Sequence, residues 1–269
     1  MPVIRLGCQG WNYPAWTGGF YPDGTRAIDF LPTYARAFDT VEVDSTFYAI
    51  PPVKTVRGWA DRTPADFVFA LKLPQEITHE RRFIGVREVA EQFFDVAREL
   101  GPKLGQVLIQ CGPDLSPDEA GPVEEFLAGL PSDIAFAIEF RQREWITAEV
   151  HMMLAAHRVA LALIDGRWLP RKWMLELCAR PTAGHAYVRW MGPDRSLTDF
   201  SRIQVDRTAE LELWAKALRT LATQVKVHGY MHNYFAGHSP GSTRMLQEML
   251  GQRPMDPRDL REQLGLFPA

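Results

Sequence analysis

The stretch TVEVDSTFYAIPP, residues 40–52, opens as a strand and closes on a proline pair. Side chains alternate across a strand, so Val41 and Val43 share one face and Glu42 and Asp44 the other. Two carboxylates pointing the same way at a strand end are costly unless something neutralises or uses them. The valine face asks for a covering layer and the acidic face for a site, which is the arrangement of a strand inside an α/β protein.

The pattern repeats on both sides of this stretch. Strand-like runs are read at VIRLGC (3–8), FVFALK (67–72), QVLIQC (106–111), IAFAIEF (134–140), VALALID (159–165), AYVRW (186–190) and VKVHGYMHN (225–233). Helical stretches alternate with them at 28–38, 53–62, 86–100, 118–130, 147–157, 207–224 and 241–250, with a short one at 172–178. In the third, Val89, Phe93, Val96 and Leu100 recur at helical spacing. Eight β-then-α units without a linker predict a TIM-type (β/α)8 barrel, one domain over residues 1–269 with 252–269 as an end cap. A doubly wound open sheet is the alternative, because strand order is not written in a sequence.

Composition narrows the class. The 269 residues are 46% hydrophobic, enough for a full core, and the formal net charge of −3 argues against a general nucleic-acid coat. Cys8, Cys111 and Cys178 are far apart and form no CxxC pair, which argues against a disulfide framework or a zinc knuckle. No apolar run reaches the roughly 18 residues of a membrane span, and the amino terminus enters strand-like sequence directly. A cytoplasmic protein is expected.

Parity locates the site. Phe67, Phe69 and Leu71 oppose Val68, Ala70 and Lys72, while Ile134, Phe136, Ile138 and Phe140 oppose Ala135, Ala137, Glu139 and Arg141. The large apolar face belongs under helices, so Lys72, Glu139 and Arg141 are expected to point to the barrel axis with Glu42 and Asp44. Arg189 ends the seventh strand on the same face as Tyr187 and His185. Polar tips from four strands then meet at the carboxyl-terminal mouth, where barrel enzymes keep their chemistry.

These segments resemble the DUF72 family of uncharacterised barrel proteins. The resemblance runs through GCQGWNYPAWTGGFYP (7–22), TVEVDSTFYAIPP, TPADFVFALKLPQEITHERR (63–82), AIEFRQREW (137–145), AYVRWMG (186–192) and YMHNYFAGHSPGS (230–242). It implies a TIM-type barrel and no established activity. Met191 stands where family members often carry histidine, and His232 where they often carry asparagine, so no proton-transfer role is carried over to either.

Within the expected mouth, Glu42 and Glu139 are read as the acid/base pair with Lys72 between them, and His79 as a proton donor or a loop cap. Lys72 as a Schiff-base nucleophile is a further reading, opposed by the glutamates that would hold it protonated. Substrate contacts are expected from Trp11, Asp44, Tyr48, Trp145, Asn233 and Tyr234, with Arg141 and Arg189 anchoring an anion. The substrate expected is a small carbohydrate-like or anionic molecule, with hydrolysis, isomerisation and elimination all open. A nucleic-acid-processing protein and a non-catalytic binding barrel are the alternatives. No cofactor and no metal ligand set is assigned, although the acids are of the type that hold a divalent metal.

Overall fold

In the computed structural model, residues 4–262 are described. Nine parallel strands form one sheet: β1 (Ile4–Gln9), β2 (Thr40–Val43), β3 (Val68–Lys72), β4 (Leu104–Gln110), β5 (Ala135–Glu139), β6 (Ala160–Leu161), β7 (Leu163–Gly166), β8 (His185–Gly192) and β9 (Lys226–Met231). Their order is β6-β5-β4-β3-β2-β1-β9-β8-β7. The two ends of that ladder are consecutive pieces of chain joined at Ala162, so the sheet comes round to a nearly closed barrel of TIM type. The helices lie between successive strands, as the alternation predicts.

The expected sixth strand, 159–165, is therefore broken, its first half pairing with β5 and its second with β8. A hydroxyl causes the break. The amide of Leu161 donates to Thr182 Oγ1 at 2.8 Å, and that hydroxyl donates to the Val159 carbonyl at 2.7 Å. Backbone groups engaged this way do not extend a strand ladder. The expected eighth strand is also shorter than read, because Asn233–Ala236 form a short helix.

The strand parity holds. Phe67, Phe69 and Leu71 belong to the large apolar layer beneath the helices, together with Phe93 and Phe136. Inside the barrel, Ala70, Ala137, Ala160 and Ala162 pack with Leu108, Tyr187 and Tyr230. Alanines on one wall make room for two tyrosines from the other, which fills the interior at close packing. The helix Phe30–Ala37 tolerates Pro32 because it sits in the first turn, where an amide has no intrahelical partner.

At the end of β8, Gly192 has φ +79°, and a Cβ there would lie 2.1 Å from the Tyr234 carbonyl oxygen. Only glycine lets the chain after β9 pass this close. Of the expected cap, the helix Pro257–Glu262 is present with Leu260 buried; residues 263–269 and Val3 of the expected first strand lie outside the described residues. No helix among the described residues is long and apolar enough to cross a membrane.

Candidate active site

The polar tips predicted from parity do meet, and Arg189 is at their centre. Its Nε and Nη2 each donate at 2.8 Å to Glu42, one to each carboxylate oxygen. Its Nη1 donates to Glu139 and, at 3.2 Å, to Gln110 Oε1. Met191 Sδ and His232 Nε2 take the remaining directions, each at 3.4 Å. A guanidinium has five N–H donors and all five are engaged here. Arg189, Glu42 and Glu139 are all buried.

Two carboxylates and one guanidinium so deep in a protein hold together only through mutual hydrogen bonding. Tyr187 adds a donor, its hydroxyl 2.7 Å from Glu42 Oε2. Burial works against an ionised Glu139, yet Arg189 and Arg141 overcome it and take its carboxyl down to about 2. Arg141 reaches it through Nε at 3.0 Å.

The cation joining the two glutamates is thus Arg189 and not Lys72, because only the longer, forked side chain spans from β8 to both acids. Lys72 pairs elsewhere. Its Nζ donates to Asp44 Oδ1 at 2.7 Å and lies 4.1 Å from the centre of the Phe47 ring. Burial and the nearby Arg189 lower the Lys72 pKa, while Asp44 and Glu42 oppose that. Asp44 loses water too, but Lys72 holds its carboxyl below the usual range. The Asp44 side chain is 31% exposed, so this pair, unlike the glutamate clamp, meets solvent.

Thr46 fixes the pair from behind. Its hydroxyl donates to the Lys72 carbonyl at 2.8 Å and accepts from the Lys72 amide at 2.9 Å. Nearby, His79 Nδ1 is 2.8 Å from the Thr78 hydroxyl, and its ring meets Phe47 edge-on. Burial and Arg141 lower the His79 pKa, so it is neutral at pH 7.

Other expected contacts divide. Tyr234 lies at the mouth with His232 stacked on it at 6.2 Å between ring centres. Tyr48 is exposed and touches Phe47 edge-on, and Trp11 packs edge-on against Trp59. Trp145 does not reach the bowl. It is buried, stacked on Phe140 at 4.2 Å, and its indole N–H donates to the Leu115 carbonyl at 2.9 Å. Asn233 is likewise a brace: its Oδ1 accepts from Trp16 Nε1 and from the amide and hydroxyl of Ser239. Arg189, read as an anion anchor, has no donor left for one.

The sequence reading missed Gln110 and Thr46. Gln110 shares the inward parity of Gln106 on β4 and was legible by the same rule; Thr46 sits in the single helical turn Ser45–Phe47, where strand parity does not apply. Among the described residues, no group of three or more His, Cys, Asp or Glu side chains is placed to hold a metal ion.

Histidines withdrawn from water, His238 buried and His228 and His232 half-buried, give the molecule an acid limit. Burial and Arg189 push His232 from 6.5 down to about 3, and burial with Arg5 or Arg244 pushes His228 and His238 to about 4. Between those values and 6.5 the unfolded chain binds protons that the folded one refuses. Stability is therefore complete above pH 6.5 and is lost as pH falls, by roughly 2–4 kcal/mol per pH unit for the three together. Urea unfolding at pH 7.5, 6 and 5 should show a midpoint dropping steeply over the last step. A midpoint flat from 7.5 to 5 would contradict these burials.

Comparison with known proteins follows the same lines. Residues 5–264 match the model of a family described as "Protein of unknown function DUF72". The chain is 29% identical over 143 residues to the UPF0759 protein YecE of Escherichia coli K12; that alignment covers 53% of the chain and spans half the length of the relative. With the UPF0759 protein YunF of Bacillus subtilis, identity is 26% over 92% of this chain and 95% of the other. Among solved structures, a DUF72 family protein from Thermotoga maritima superposes with a TM-score of 0.74 at 21% identity, covering 93% of this chain and all of that one. One from Enterococcus faecalis gives 0.74 at 18%, over 94% and 99%. At those identities the likeness is one of fold.

Proposed function

The chain belongs to the DUF72 family, and from the bowl its barrel encloses we propose that it is an enzyme performing proton transfer on a small polar substrate, anionic or carbohydrate-like. The observation that carries this reading is the Lys72–Asp44 pair, 2.7 Å apart at the carboxyl-terminal ends of β2 and β3, with Asp44 open to solvent. Inward residues at that end of a barrel are where its enzymes work.

In this reading the Glu42–Arg189–Glu139 clamp is a rigid charged floor, and the groups above it do the chemistry. Asp44, ionised, accepts a proton from the substrate. Lys72, with an ammonium already weakened by burial and by Arg189, donates to oxygen on which charge develops. His79, neutral, is the second donor or acceptor within the same loops. The pair serves hydrolysis, isomerisation or elimination alike, so the substrate decides among them.

The test is a thermal-shift screen of sugars, sugar acids, sugar phosphates and small carboxylates. A ligand at a hundred times its dissociation constant adds about 2.7 kcal/mol of stability, a rise of several degrees. Hits from these classes that are then turned over support the proposal. A complete absence of hits across all four classes counts against it.

A further inference from the structure

We infer that the corner of the mouth formed by Arg141, Arg167 and Arg195 is a subsite for one compact oxyanion, the phosphate or carboxylate group of the substrate. This deepens the proposed function and rests on reading the bowl as a substrate site. Arg189 is excluded as the anchor because its donors are all engaged with the protein. The three other arginines line a single cavity of about 50 Å³ together with Trp168, Asp194 and Tyr234.

Two of them converge on one indole. The Arg167 guanidinium carbon lies 4.2 Å from the Trp168 ring centre and that of Arg141 lies 5.3 Å from it. Arg195 faces them from the other wall, 5.8 Å from the Tyr234 ring. Stacking of this kind holds a guanidinium by its face and leaves its N–H edge for an anion. Arg141 spends Nε on Glu139 and keeps its terminal nitrogens, and among the described residues neither Arg167 nor Arg195 forms an ion pair.

One carboxylate, Asp194, lines the same cavity. Its Oδ1 is occupied by the Ser196 amide at 2.8 Å, a contact that with the Ser196 side chain holds it ionised. Charge in the corner is therefore positive. Its size sets the ligand: 50 Å³ is a third of the roughly 150 Å³ that admits a benzene ring. A single oxyanion fits, and the body of the substrate extends back over Lys72 and Asp44.

The test titrates inorganic phosphate and acetate, at constant ionic strength and by calorimetry, into wild type, R167Q/R195Q and Lys72→Met. Arg167 and Arg195 are exposed, so the double variant folds as wild type does. The expected result is that wild type binds at least one anion, the double variant binds it tenfold or more weakly, and Lys72→Met binds it as wild type does. Tighter phosphate identifies a phosphorylated substrate and tighter acetate a carboxylate. Absence of binding to wild type, or equal binding by the double variant, overturns the subsite. Loss confined to Lys72→Met also overturns it, by moving the anion down beside Lys72, while leaving the proposed function standing.

Discussion

Replacing Arg189 by methionine should cost about 5 kcal/mol or more of folding free energy. Breaking a buried ion pair by removing one partner typically costs about 3–5 kcal/mol, and here one guanidinium serves two buried carboxylates, Glu42 and Glu139. Against a typical total of about 5–15 kcal/mol, the variant is expected to be largely unfolded or to unfold at far lower urea. Arg189→Lys should recover little, because one ammonium cannot reproduce the planar fork on Glu42 and still reach Glu139. The triple change R189M/E42Q/E139Q should regain at least about 2 kcal/mol over R189M, since it removes the uncompensated charge. Urea denaturation of the four proteins at pH 7.5 decides it. A triple variant no more stable than R189M would mean the cost lay in packing and not in charge.

Lys72→Met should act on turnover instead. Removing a positioned proton-transfer group costs about 10²–10⁴ in rate, and the methionine stem still fills the space beside Phe47. Asp44, left without its cation, regains water because it is already 31% exposed. The fold is therefore expected to lose less than about 2 kcal/mol. The measurement is kcat/KM on a turned-over substrate alongside urea unfolding of the same preparation. A variant with wild-type kcat/KM would remove Lys72 from the chemistry.

What the sequence disclosed and what it hid follow from range. Val41 and Val43 against Glu42 and Asp44, or Phe67 and Phe69 against Ala70 and Lys72, are decided within one strand by the pleat, so the inward set is readable from the residues alone. Which acid meets which base is decided across the barrel. Arg189 and Lys72 both point to the axis, and only the reach of the longer, forked Arg189 across from β8 gives it both Glu42 on β2 and Glu139 on β5.

Turn residues carry no such rule. Trp145 resembles a mouth aromatic in sequence, and only the Leu115 carbonyl and the Phe140 ring assign it to packing. The break at Ala162 was invisible for a similar reason: VALALID reads as continuous strand, and its interruption comes from a hydroxyl at Thr182, beyond the short helix Arg171–Leu177.

The most direct check on a reactive pair above a fixed charged floor is the rise in Tm that one bound ligand produces in wild type, Lys72→Met and Asp44→Asn, each compared with its own ligand-free value. A rise of several degrees is expected in wild type, with a smaller rise in both variants, which keep the arginine corner but lose the contacts of the pair, and a ligand-free Tm of Lys72→Met close to that of wild type. Equal rises in all three proteins would contradict it.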